Sequence, residues 1–166
     1  MPVKSIYLAG NLGFSESGRD FMYDKLMPAI KRAGYDVLDP WKYGEQLINP
    51  ILELPDCHPK KAGRFRRANI IIGAQNEKLI RHSDGVIAVL DGPDVDSGTA
   101  AEIGFAYGIK KKTIGYRSDF RLSSENIAAK INLQVEYFIE RNGGKIVRSL
   151  GELEKTLETF DFTIHR

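Results

Sequence analysis

Three kinds of residue in this 166-residue chain have the chemistry to act on a small molecule, and they lie far apart in sequence. The first is Glu102, in Asp96-Ser97-Gly98-Thr99-Ala100-Ala101-Glu102-Ile103-Gly104. Its neighbours Ala100, Ala101, Ile103 and Gly104 are small or apolar and leave it the one charge among residues otherwise fit for burial, and a charge so placed needs a reason. Near a helix start the carboxylate is expected to stay ionised, ready to serve as a nucleophile or base. Helix stabilisation is the competing explanation. The second kind is the acidic loop of Asp91, Asp94 and Asp96. Hard cations want several oxygens, but this spacing matches no metal loop, and Asp96 also suits an N-cap. No metal and no cofactor are therefore expected. The third is Tyr7, an aromatic in an apolar run, which serves either the core or a hydrogen bond to a carboxylate in a cleft.

Other positions carry weaker signals. Ala9-Gly10-Asn11-Leu12-Gly13 is a loose phosphate cradle without the spacing of a dinucleotide fingerprint or the lysine of a P-loop. Asn76 and Asn132 are amides on expected helices, either solvated or facing a cleft. Cys57-His58 lacks further zinc ligands. The Lys110-Lys111-Lys112 run is explained by a helix C-terminus.

The elements that position these residues follow from apolar periodicity. Short apolar runs at 5–10, 35–39, 86–90, 112–116 and 145–147 read as strands. Amphipathic patterns over 19–33, 62–82 and 149–160 read as helices, and 100–108, rich in small and apolar residues behind the capping cluster Asp96-Ser97-Gly98-Thr99, reads as a buried helix. Pro28 lies inside the first of these at a cost. A further helix is expected from a Ser123 cap to about Arg141, stopped by Asn142-Gly143-Gly144, with 117–122 a polar loop. The stretch 41–61, with Pro50, Pro55 and Pro59, reads as irregular apart from a short helix around Leu47; so long a loop is often functional. Strand–helix alternation implies an α/β fold: a doubly wound, five-stranded parallel sheet of the flavodoxin/Rossmann-like kind, order 2-1-3-4-5, in one domain over 1–166. The switch point then lies between the strands ending near Gly10 and Leu90, where such folds place their ligands.

Composition narrows the class. The balance of 24 Lys+Arg against 22 Asp+Glu gives no reason to expect a nucleic acid polymer or an anionic membrane as partner. The single cysteine, Cys57, fits a reducing compartment, and no run approaches the roughly 20 apolar residues of a bilayer span. Met1-Pro2-Val3-Lys4 leads straight into a strand without a signal-peptide core, so a cytoplasmic location is expected.

The stretch from Leu90 to Gly104 resembles the signature of the nucleoside 2-deoxyribosyltransferase family. Ile6-Tyr7-Leu8-Ala9-Gly10 is similar to that family's opening strand, the segment from Asn76 to Ala88 to its middle helix and third strand, and Ile131-Asn132-Leu133 to its later helix. The resemblance implies that Glu102 is the nucleophile at the anomeric carbon and that Tyr7 holds it. It implies that Asp96, with Ser97 and Gly98 beside it, binds the sugar. Asn132 would reach the sugar in a neighbouring subunit's site, making the protein a homo-oligomer with shared sites. Gly10, Asn11 and Phe14, with Trp41, would border the base. The implied substrates are a deoxynucleoside and a free nucleobase. Two departures stand out. Asn76 occupies a position where some members carry a proton-donating aspartate, and Asn11 replaces a proline. Two rival readings go with the resemblance. One is a hydrolase of deoxynucleoside 5′-monophosphates, in which a small hydroxyl residue stands six positions before the nucleophile, where this chain has Asp96. The other is a non-catalytic nucleotide sensor.

Overall fold

The computed structural model describes residues 4–122 and 124–163. Five strands, β1 (Lys4–Ala9), β2 (Tyr35–Leu38), β3 (Gly85–Val89), β4 (Thr113–Tyr116) and β5 (Lys145–Val147), form one sheet in the order β2-β1-β3-β4-β5, every pair parallel. The order reverses between β1 and β3, as the alternation of elements requires. Helices cover both faces: α1 (Glu16–Phe21), α2 (Met27–Arg32) and α7 (Leu150–Thr159) one, and α4 (Lys61–His82), α5 (Ser97–Gly108) and α6 (Leu133–Arg141) the other. A further helix, α3 (Pro40–Leu52), packs against α4.

The two-residue period of a strand sorts β1 between two cores. Ile6 and Leu8 join the core under α1, α2 and α7, with Met22, Leu26 and Ile30. Tyr7 and Ala9 join the opposite core, with Val86, Ala88 and Ile103. Tyr7 thus faces the helix that carries Glu102, and this is a matter of register alone: a slip by one residue would turn it away.

The expected cost of Pro28 is visible. Residues Met22–Leu26, between α1 and α2, widen into a π-helical turn, and Pro28 falls in the first turn of α2. Proline has no N–H to offer the preceding turn, and the wider turn absorbs the mismatch without breaking the helical course.

Two expectations are corrected. The stretch 41–61 is mostly helix, as α3. Asp39 caps it by accepting from the Trp41 N–H at 2.9 Å, and Pro40 takes the first helical position, where a missing N–H costs nothing. Only Pro50 is interior, one turn from the end. The helix expected from residue 123 begins at Leu133, because Asn132 caps it there through the N–H groups of Gln134 and Val135. The Ser123 cap itself falls outside the described residues. Among the described residues, no helix is long and apolar enough to cross a membrane.

Candidate active site

The carboxyl ends of β1 and β3 open onto a cavity of about 650 Å³. Its floor is the start of α5. Asp96 caps that helix, its Oδ2 accepting from the Thr99 N–H at 3.0 Å and the Thr99 hydroxyl at 3.1 Å. Asp96, Gly98, Thr99 and Glu102 all line the cavity, so capping and site membership fall to the same residue. Gly98 fits this corner: a Cβ there would lie 3.1 Å from the Asp96 carboxylate.

Glu102 lies one turn further on. The fully buried Tyr7 donates its hydroxyl to Glu102 Oε1 at 2.5 Å, and Asn76 Nδ2 from α4 donates to the same oxygen at 3.4 Å. Three elements distant in sequence therefore converge on one carboxylate. Burial raises the Glu102 pKa to about 7; the Tyr7 bond opposes that rise, and the nearby Asp96 charge adds to it. Here the expectation of a carboxylate kept ionised by the helix start is corrected. Glu102 is past the first turn, where the dipole fades, and desolvation outweighs it. The Tyr7 hydroxyl is itself pushed far above the ordinary tyrosine value, by burial first and then by the Glu102 charge, so it acts as a donor only.

The roof comes from the first loop and α3. Trp41 donates its indole N–H to the Gly10 carbonyl at 3.2 Å, and Phe14 meets the indole edge-on with ring centres 4.5 Å apart. Phe14 is 76% exposed, so this pair presents an open aromatic surface above the carboxylate floor. Gly13 lies directly beneath: a Cβ there would fall 2.1 Å from the indole ring, so only glycine lets the ring settle. Arg19 donates to the Gly13 carbonyl at 2.6 Å and pairs with Glu45 of α3 at 3.5 Å, closing the side wall.

Of the residues expected at the site, Glu102, Tyr7, Asn76, Asp96, Gly98, Gly10 and Phe14 come together here. Asn11 and Ser97 stand next to lining residues without lining the cavity. Asn132 is elsewhere, capping α6 and donating to Glu125 at 2.9 Å. The acidic loop does not gather into a cluster. Asp91 accepts from Ser118 at 2.6 Å and from the Asp119 N–H at 2.8 Å, Asp94 turns to the Val95 N–H, and Asp96 caps α5.

Sequence reasoning missed two features. One is the α3 wall, whose repeat of Trp41, Glu45, Ile48 and Leu52 was legible as a helical stripe but lay among prolines. The other is Arg117, expected in a polar loop but fully buried. Its guanidinium donates to the carbonyls of Leu90 at 2.5 Å and Arg121 at 2.8 Å, fastening the end of β3 to the segment after β4. No sequence signal distinguishes it from an ordinary solvated arginine after a strand.

The model of the nucleoside 2-deoxyribosyltransferase family matches residues 6–141. The chain belongs to that family. The match runs from the strand of Tyr7 through α6 and contains every site residue named above. An uncharacterized protein of Schizosaccharomyces pombe is 28% identical over 129 residues, 75% of this chain and 55% of that protein, so the chain spans about half the length of this curated relative. Among solved structures, a conserved protein from Enterococcus faecalis superposes with a TM-score of 0.67 at 22% identity, covering 95% of this chain and 98% of that one. A 2-deoxyribosyltransferase from Bacillus psychrosaccharolyticus gives 0.63 at 19% identity, covering 95% and 93%. One from Leishmania mexicana gives 0.63 at 21% identity, covering 94% and 98%. At such identities these likenesses establish a shared fold.

Proposed function

We propose that this family member transfers 2-deoxyribose between nucleobases through a covalent sugar ester on Glu102. The observation that carries the reading is the Tyr7–Glu102–Asn76 arrangement on the floor of the cavity, beneath an aromatic pair suited to a base. A Glu102 oxygen attacks C1′ on the face opposite the base. The C1′–O bond forms as the C1′–N bond breaks, and the electron pair leaves with the base, which takes up a proton. An acceptor base then attacks C1′ from the vacated face and gives up a proton, and the carboxylate is regenerated. Protons balance over the cycle and configuration is retained. Water in place of the acceptor yields free deoxyribose.

Each residue has a task in this scheme. Tyr7 fixes the attacking oxygen and, by donating to the charged form, keeps the Glu102 pKa from rising further. Asn76 has no acidic proton to give. Its amide donates to Glu102, while its buried Oδ1 has no hydrogen-bond partner, which leaves an acceptor for an N–H of the base. Asp96 accepts the sugar hydroxyls, and its charge disfavours a 5′-phosphate nearby, so nucleosides are the substrates rather than nucleotides. Gly10 borders the base, with Phe14 and Trp41 stacking on it. Asn11 and Ser97 hold the loops that shape the site. Asn132 serves the site of a second copy in a homo-oligomer. The half-exposed Leu133 and Tyr137 beside it on α6 support that role.

The decisive experiment incubates the protein with a 2′-deoxynucleoside and a different free base and separates the products by chromatography. A new deoxynucleoside is the expected product. Free deoxyribose alone would make the protein a hydrolase. No product from any of several deoxynucleosides or their monophosphates would overturn the enzymatic reading in favour of a sensor.

A further inference from the structure

The cavity continues well past the point where a base would end. From the Trp41–Asn76 level it follows the seam between α3 and α4 outward. On α4 the lining positions are Asn76, Ile72, Asn69 and Phe65, spaced four, three and four residues apart and so on one face. Eleven residues at 1.5 Å each make this a run of about 16 Å. On α3 the matching stripe is Trp41, Gly44, Ile48 and Leu52. The two helices are joined by residues 53–60 alone and pack together as an antiparallel pair, with Gly44 facing Ile72: a Cβ on Gly44 would lie 3.8 Å from Ile72 Cδ1. The walls change character along the way. The inner end holds Glu102, Asp96 and the aromatic pair, while Ile72, Ile48, Phe65 and Leu52 make the outer part mostly apolar, with Asn69 and Asn49 as the polar side chains among them. Gly44 sits mid-helix, where glycine is unfavourable, and its missing side chain is what leaves the second level open.

We propose that this seam is a subsite for a bulky apolar substituent on the outer edge of the nucleobase, so that the substrates include purines alkylated or arylated on their exocyclic amine. The inference rests on the transferase reading for its direction. With C1′ held at Glu102 and the sugar beside Asp96, the base points toward Trp41 and Asn76, and what extends beyond its far edge enters the seam. A purine of two fused rings is much shorter than the run, and filling the remainder with hydrocarbon removes apolar surface from water on both partners.

The test uses adenine and adenine bearing a benzyl group on its exocyclic amine. Trp41 is the sole tryptophan, so quenching of intrinsic fluorescence reads binding without any turnover. The benzyl compound is expected to bind at least about tenfold more tightly than adenine, as burial of an aromatic ring supplies more than that factor requires. As an acceptor in the transfer assay it should match or exceed adenine in kcat/KM. Gly44→Leu, which fills the second level, should lower the benzyl-to-adenine ratio at least about tenfold in both assays. Leu52→Asp, at the far end of the seam, should lower the same ratio. Refusal of the benzyl compound by a protein that accepts adenine would overturn the inference while leaving the transferase reading intact, and a second copy seated on the seam would give that result. So would ratios unchanged in both variants. Tight, Gly44-sensitive binding without transfer of any base would uphold the subsite and overturn the transferase reading.

Discussion

The two sides of the cavity are built on different terms. The floor, from Tyr7 to Glu102, is anchored in the sheet. Tyr7 is fully buried, β3 is buried along its whole length, and the loop after β3 is stitched to the segment after β4 by Arg117 and Asp91. The roof and outer wall are a helical hairpin, α3 and α4, with few fully buried residues, joined to the first loop through Trp41. A reacting carboxylate must be held to a fraction of an ångström, whereas a base needs a surface. Burial and hydrogen bonding are thus concentrated around the carboxylate, and the wall above it is the more exposed part.

The largest effect expected on that contrast comes from its rigid side. Glu102→Ala should lower turnover by at least about 10³-fold while circular dichroism and Tm report an intact fold. Full activity in that variant would remove the floor from the mechanism. Next, Tyr7→Phe deletes a charge-assisted hydrogen bond, and kcat/KM should fall by roughly 10–100-fold. Its pH profile is the sharper readout. In the unaltered protein, activity should rise with pH through about 7, as Glu102 loses its proton. Since the Tyr7 bond lowers that pKa, the rise should move to higher pH in the variant. An unshifted profile would show that Tyr7 does not act through the carboxylate.

The same pKa has a cost in stability with a definite sign. Folded Glu102 holds its proton up to about 7, whereas its ordinary value is 4.5. Between those values the folded state binds more protons than the unfolded one, so stability falls as pH rises through the window. Glu102→Gln keeps an acceptor for Tyr7 without the charge. It should gain about 1–3 kcal/mol at pH 8 and little at pH 4, measured by denaturant titration at both values. On the recognition side the effects should be smaller and of another kind. Trp41→Ala should raise KM about tenfold with little change in kcat, because an aromatic surface binds ground and transition states alike. A loss confined to kcat would place Trp41 with the chemistry instead. Smallest of all, Ser118→Ala removes an exposed bond to Asp91 and should cost about 0.5 kcal/mol, since the Asp119 N–H continues to hold the same carboxylate.

The same contrast explains what the sequence disclosed. The sheet was legible because buried parallel strands are short, continuous apolar runs such as Val86-Ile87-Ala88-Val89, and alternation of elements leaves few topologies. Glu102 was legible as a charge among small and apolar residues. Its pairing with Tyr7 was one of two readings of an aromatic in that strand, the family resemblance favoured it, and the β1 register gives the physical reason for it. The hairpin was obscured because proline reads as a breaker, while Pro50 lies in the last turn of α3 and Pro55 and Pro59 lie in the connection to α4. The protonation of Glu102 was misread because a helix dipole can be inferred from spacing but desolvation depends on what packs from elsewhere. Arg117 was hidden for the same reason: its bonds to Leu90 and Arg121 go to main-chain carbonyls, which carry no side-chain signature.

One contact limits how this chain can diverge. The Trp41 ring rests where a side chain on residue 13 would be. Even a methyl group at that position would wedge the indole upward and draw on its bond to the Gly10 carbonyl, at the very end of the strand that carries Tyr7. A chain that keeps the indole in this seat therefore has to keep position 13 bare.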